Sequence, residues 1–192
     1  AGWQGGLPYT YRLTGGADLK VNLNVQQKKD MVRVYDVIGK WEGTENPDEW
    51  IIMGCHYDAW SFGSTDPNSG TAMMLALAES MNKLAQQGIK PKRSILIGLW
   101  DAEELWVIGS TEWVEQMHDE LKAKAVTYIN LDAAVSGRNF GASASPSMKQ
   151  VILETTQKIS FPDSSKTLFD VWKGAKKQEP TIGNLGGGSD HI

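Results

Sequence analysis

The 192-residue sequence contains one cysteine, Cys55, so no disulfide can form within the chain and its stability must come from a packed core. Long apolar runs are missing too. The longest, Ala72–Ala78, has seven residues, against the ~20 that an α-helix needs to cross a bilayer. Positive charge is not in excess: 19 Lys and Arg stand against 23 Asp and Glu, for a formal net charge of −4. A polyanion binder neutralises phosphates with clustered Lys and Arg. The densest basic groups here, Lys90–Lys92–Arg93 and Lys173–Lys176–Lys177, read as solvated surface, so nucleic acid is not an expected partner. Internal repeats and low-complexity segments are absent, as are an initiator Met and a basic-then-apolar targeting pattern. The chain stops at Gly186-Gly-Gly-Ser-Asp-His-Ile192, an odd place for a domain to finish, which predicts a piece of a longer protein.

What is present suits a globular domain: 41% of residues are hydrophobic and 22% charged, at a length that buries one core. Residues 1–17 are Gly-rich without periodicity and are expected as an irregular lead-in to a core over 18–192. Alternation of Leu19, Val21, Leu23 and Val25 predicts a half-buried strand over Asp18–Gln26, and Met31–Ile38 is a second strand candidate. After turn chemistry at Gly43–Asp48, the apolar run Trp50–Cys55 reads as a strand covered on both faces, Ser94–Trp100 as another short apolar run and Ala125–Leu131 as a further buried strand. Between them, Thr71–Gln87 closed by Gly88 and Ser110–Lys124 read as helices, with Ser147–Ile159 a third and Lys166–Trp172 ambiguous. Strands alternating with helices predict an α/β fold with a largely parallel sheet.

Polar residues follow each of the three apolar strands. Trp50–Cys55 leads into His56-Tyr57-Asp58, with Asp66 beyond; Ser94–Trp100 leads into Asp101-Ala102-Glu103-Glu104; Ala125–Leu131 leads into Asp132. Open α/β sheets bind ligands outside the carboxyl ends of their strands. One imidazole and several carboxylates at that edge, without nearby Lys or Arg, would repel one another unless a divalent metal joined them. Each piece alone has a plain reading as a helix cap or a solvated charge. Their joint placement at successive strand ends points to a metal site, with room for two ions and an unligated carboxylate as general base.

These segments resemble peptidase family M28. The carriers are Gly54-Cys-His-Tyr-Asp58, Gly63-Ser-Thr-Asp-Pro-Asn-Ser-Gly70, Trp100-Asp-Ala-Glu-Glu104, Gly109-Ser-Thr-Glu-Trp113 and Tyr128-Ile-Asn-Leu-Asp132, in order and with the family's spacing. The branch they resemble includes the glutamate carboxypeptidases and the transferrin receptors. This resemblance implies a three-layer α/β/α sandwich around a mixed, mostly parallel sheet, and a catalytic core for 18–192 that is truncated at its C-terminus. It implies two Zn²⁺ ions, with His56 and Asp132 on one, Glu104 on the other and Asp66 bridging. Glu103 takes the role of general base, and Asp58 that of the partner of the ligating imidazole. A cis peptide after the bridging Asp belongs to the pattern, and here that bond is Asp66–Pro67.

The implied activity is exopeptidase cleavage of small peptides, glutamate carboxypeptidase-like, with an aminopeptidase or a non-enzymatic receptor-like module as alternatives. Retention of all the quoted ligands favours the enzyme over the receptor. A single-zinc acyl-transfer cyclase on a related fold fits the ligand set less well. Relatives of this branch work outside the cytoplasm and dimerise through a C-terminal domain, so a homodimeric, extracytoplasmic parent is the corresponding expectation. Three departures stand out. The fifth ligand, a second His, lies beyond the end of this chain, and His191 does not occupy its position; Trp106 replaces a glycine; and Ser189 stands where glutamate carboxypeptidases have an Asn. Elsewhere the plain readings prevail. Cys55 is a small core residue, His118 a surface imidazole, and Trp50, Trp100 and Trp113 core side chains. Trp60 and Trp106 flank the metal loops, and Gly186–Gly188 is a flexible loop near the site's rim.

Overall fold

A computed structural model describes residues 15–174 and 180–192. The expected lead-in up to residue 14, and Lys176 and Lys177 of the second basic group, lie outside the described residues. The chain divides into two units, Ala1–Arg33 and Val34–Ile192. In the first, residues 15–33 carry no helix or strand, and Leu19, Val21, Leu23 and Val25 are all exposed. The strand expected over Asp18–Gln26 is therefore not formed. Alternation describes a surface that could be half-buried, but a strand also needs a hydrogen-bonding neighbour, and none pairs with this segment among the described residues.

The second unit is built on β1 (Val37–Trp41), β2 (Asn46–His56), α1 (Asn68–Gln86), β3 (Arg93–Trp100), α2 (Ile108–Gln116), α3 (His118–Lys124), β4 (Ala125–Asn130), α4 (Pro146–Lys158) and α5 (Leu168–Lys173). The sheet order is β1-β3-β2-β4, with β1 antiparallel to β3 and the other pairs parallel. This is the mixed, mostly parallel sheet that the sequence implied. The Met31–Ile38 candidate is displaced: the strand begins at Val37, where the chain first pairs with Leu99 of β3.

Strand periodicity sends alternate residues to opposite faces. On one face Trp50, Ile52 and Leu96 pack with Trp113 and Met117 of α2 and its end, Leu121 of α3 and Tyr128 of β4. Opposite them, Cys55, Met74 and Ile97 pack with Met53, Ala78, Leu99 and Leu131, so α1 covers the second face. Helices thus flank the sheet in three layers. Single-helix expectations shift at two places. Ser110–Lys124 is broken at Met117, between α2 and α3, with Trp113, Met117 and Leu121 all still on the core. The helix expected from Thr71 begins earlier, at Asn68, and takes in Gly70. A Cβ on Gly70 would sit 1.8 Å from the Leu131 carbonyl oxygen, so this glycine marks a close approach of helix to strand end rather than a loop.

On the face that carries Ile52 and Leu96, two glycines make room for an indole. Gly54 and Gly98 are register partners on β2 and β3, and the Trp100 ring lies against both. Trp100 is 2% exposed, packs on Trp113 with ring centroids 5.0 Å apart and planes tilted by 43°, and donates Nε1–H to Tyr128 Oη at 3.0 Å.

Candidate metal centre

Parallel pairing of β2, β3 and β4 brings their carboxyl ends to one edge, and the acidic segments follow from there. His56, the last residue of β2, is fully buried. Its Nδ1 lies 2.9 Å from the Asp58 carbonyl oxygen. A carbonyl only accepts, so Nδ1 carries the hydrogen and Nε2 is the nitrogen left to act as a ligand. Nε2 faces Asp66 Oδ1 and Asp132 Oδ1, each at 3.2 Å, and Glu103 Oε2 at 3.8 Å. One ligand atom each of His56, Asp66 and Asp132 falls within a 4.8 Å group suited to a metal ion. Among the described residues no Lys or Arg forms a salt bridge to these carboxylates, and the donor set of one imidazole and two carboxylate oxygens fits Zn²⁺.

Glu103 and Glu104 hang from the turn after β3. Asp58 fixes that turn, since its Oδ1 accepts the Glu103 backbone N–H at 2.9 Å and its Oδ2 that of Glu104 at 3.1 Å. The family resemblance pairs the Asp58 carboxylate with the His56 imidazole. Here the nearer partner is the Asp58 carbonyl, with the carboxylate 3.4 Å from Nδ1. Glu104 stands outside the three-residue group, its Oε1 accepting the Trp60 backbone N–H at 3.3 Å. The Asp66–Pro67 peptide is cis.

Crowding of charge shows in the proton affinities. Burial pulls the His56 pKa down, but the hydrogen bond and charge of Asp132, with Glu103, raise it further, to about 9. Burial pushes Glu103 up to about 7, His56 opposing and Asp190, Asp132 and Glu104 reinforcing. Asp132 is held below the usual carboxylate range, chiefly by its hydrogen bond with His56.

The plain readings can be placed as well. Cys55 is fully buried, and burial pushes its thiol up to about 11, too high for a nucleophile at neutral pH. His118 is exposed beside Asp119, and His191 is engaged by the Gly186 carbonyl oxygen at 2.9 Å. Trp60 and Trp106 are exposed at 69% and 94%, and Trp106 adopts φ 79°, the left-handed region that a glycine would enter freely. Residues that the sequence reading did not single out are Asn130 and Ser110, and also Ser189 as a partner of Asp132. Ser189 Oγ donates to Asp132 Oδ2 at 2.7 Å, and Ser110 Oγ to Asp190 Oδ1 at 2.7 Å. The one sequence signal was the two-residue spacing of Asn130 and Asp132.

A buried imidazole among carboxylates at the carboxyl ends of parallel strands defines a candidate metal centre on an α/β sandwich. The chain belongs to peptidase family M28, whose description it matches over residues 36–191. It is 42% identical over 172 residues to a protein named probable glutamate carboxypeptidase LAMP1 from Arabidopsis thaliana, covering 89% of this chain and 25% of that one. It is also 35% identical over 207 residues to the aminopeptidase NAALADL1 of Rattus norvegicus, covering 98% of this chain and 28% of that one. The chain thus spans about a quarter of the length of these relatives. Among solved structures, the zinc aminopeptidase BSAP from Bacillus subtilis matches with a TM-score of 0.58 at 21% identity, over 81% of this chain and 36% of that one, a likeness in fold.

Proposed function

We propose that the protein containing this chain is a zinc exopeptidase, with carboxypeptidase action on small peptides favoured. The observation that carries the reading is the placement of Asp66 and Asp132 oxygens, each 3.2 Å from Nε2 of a buried imidazole. His56 and Asp132 would hold one Zn²⁺ and Glu104 a second, with Asp66 shared. When bound, the metal supplies Lewis acidity toward the scissile carbonyl and acidifies water.

The chain's own groups perform the proton transfers. Glu103, with only 10% of its side chain exposed, accepts a proton from the attacking water as oxygen adds to the carbonyl carbon. It then returns that proton to the nitrogen as the C–N bond breaks. Asp58, holding the amides of Glu103 and Glu104, fixes the two carboxylates relative to the β2 end. Carboxypeptidase action draws on the name of the Arabidopsis relative; aminopeptidase action is the second reading, favoured by the name of the rat relative.

The test is Glu103→Gln in the complete protein. Peptide hydrolysis should fall ~10²–10⁴-fold, the share of a general base, with zinc content unchanged. A normal rate would contradict the assignment.

A further inference from the structure

Residues 186–188 form an exposed glycine loop, yet the next two side chains turn inward: Ser189 is 6% and Asp190 8% exposed. The Ser189 hydroxyl is engaged on both sides. It accepts from Asn130 Nδ2 at 2.7 Å and donates to Asp132 Oδ2 at 2.7 Å. Behind it the chain of hydrogen bonds continues, with Asn130 Oδ1 accepting from Tyr128 Oη at 3.0 Å and Tyr128 Oη accepting from Trp100 Nε1 at 3.0 Å.

The direction of every bond in this chain is fixed by its ends. An indole N–H can only donate, and an ionised carboxylate can only accept. The Tyr128 hydroxyl must therefore donate onward, the Asn130 amide must present its oxygen to Tyr128 and its nitrogen to Ser189, and the Ser189 hydrogen must point at Asp132. One oxygen of Asp132 is thereby held from the core of the sheet, and the other, Oδ1, is the one that faces His56 Nε2 at 3.2 Å. We propose that Ser189 is a positioning residue for Asp132, anchoring Oδ2 to the Trp100–Tyr128–Asn130 relay so that Oδ1 is aimed into the metal centre. The inference rests on the metal-centre reading above and adds a residue to it from a distant part of the chain.

Outer partners of metal ligands characteristically change metal affinity ~10–100-fold when removed. In the complete protein, Ser189→Ala should weaken zinc binding by that factor in competition with a chromophoric chelator. It should also lower kcat more than it changes KM, with the metal-free protein still unfolding in one cooperative transition, at a melting temperature lowered by the partners that Asn130 Nδ2 and Asp132 Oδ2 lose. Ser189→Thr, which keeps the hydroxyl, should recover most of the affinity. Wild-type zinc affinity in Ser189→Ala would overturn the proposal, and so would a Ser189→Thr variant as weak as the alanine. If the wild-type protein bound no zinc, the metal-centre reading itself would fall and this proposal with it.

Discussion

Gly54→Ala tests how the core supports the site. A Cβ built on Gly54 lies 2.3 Å from Tyr128 Oη and 2.4 Å from Trp100 Nε1, where ordinary contact begins at 3.4 Å. Neither atom is the loose end of a flexible chain: the two are hydrogen-bonded to each other, and the indole is 2% exposed. Both must retreat by about 1 Å, and overpacking of this kind typically costs ~1–3 kcal/mol. Parting them leaves a buried indole N–H without its acceptor, a further ~1–3 kcal/mol. Together these predict a loss on the order of 2–6 kcal/mol, or a melting temperature lower by roughly 4–24 °C for a unit of this size. Urea titration should show a lower midpoint with an unchanged slope. Gly39→Ala is the control, because a Cβ there finds nothing within 4 Å; its stability should stay within about 0.5 kcal/mol of wild type. If Gly54→Ala were as stable as Gly39→Ala, the argument that glycine is required beneath Trp100 and Tyr128 would be wrong.

Asp58→Ala would strip the acceptors from the Glu103 and Glu104 amides, so stability should fall by ~1–3 kcal/mol, and steady-state kinetics should show kcat reduced more than KM is raised. Met74, the fully buried side chain that α1 presents to Cys55 and Ile97 of the sheet, should cost about 2–5 kcal/mol when replaced by Ala, as read by denaturant unfolding. Zinc binding should be pH-dependent in a defined direction. Without metal His56 keeps its proton up to a pH of about 9, and a ligating imidazole must be neutral. Below that pH the zinc that binds at His56 therefore expels the His56 proton. Apparent affinity should rise by up to about tenfold per pH unit toward 9, more slowly above it, and calorimetry in buffers of different ionisation enthalpy should report proton release at pH 7.

The parts of this fold that were legible in the sequence are those in which burial alone decides. β2 and β3 read as apolar runs because the middle of the sheet is covered on both faces; β4, expected as a buried strand, has no buried residue and lies at the edge of the described sheet. The ends of the three strands place His56, Asp58, Glu103, Glu104 and Asp132 at one edge. Less legible were features set by neighbours distant in sequence. Asp18–Gln26 alternates as a strand should, but alternation cannot say whether a pairing edge is available. Gly70 reads as a loop residue, although it sits in α1 because the Leu131 carbonyl presses against the helix. In the site, Ser189 meets Asp132 across 57 residues and Asn130 across 59. A neutral hydroxyl at such separations leaves no periodicity to read.

The most direct test of the account is the zinc content of the complete protein after equilibration with a small excess of Zn²⁺, measured by elemental analysis beside a His56→Ala, Asp66→Ala variant. The account predicts ~2 zinc ions per wild-type chain, with at least one lost in the variant. A wild-type protein that retained no zinc, or a variant that kept the full complement, would contradict it.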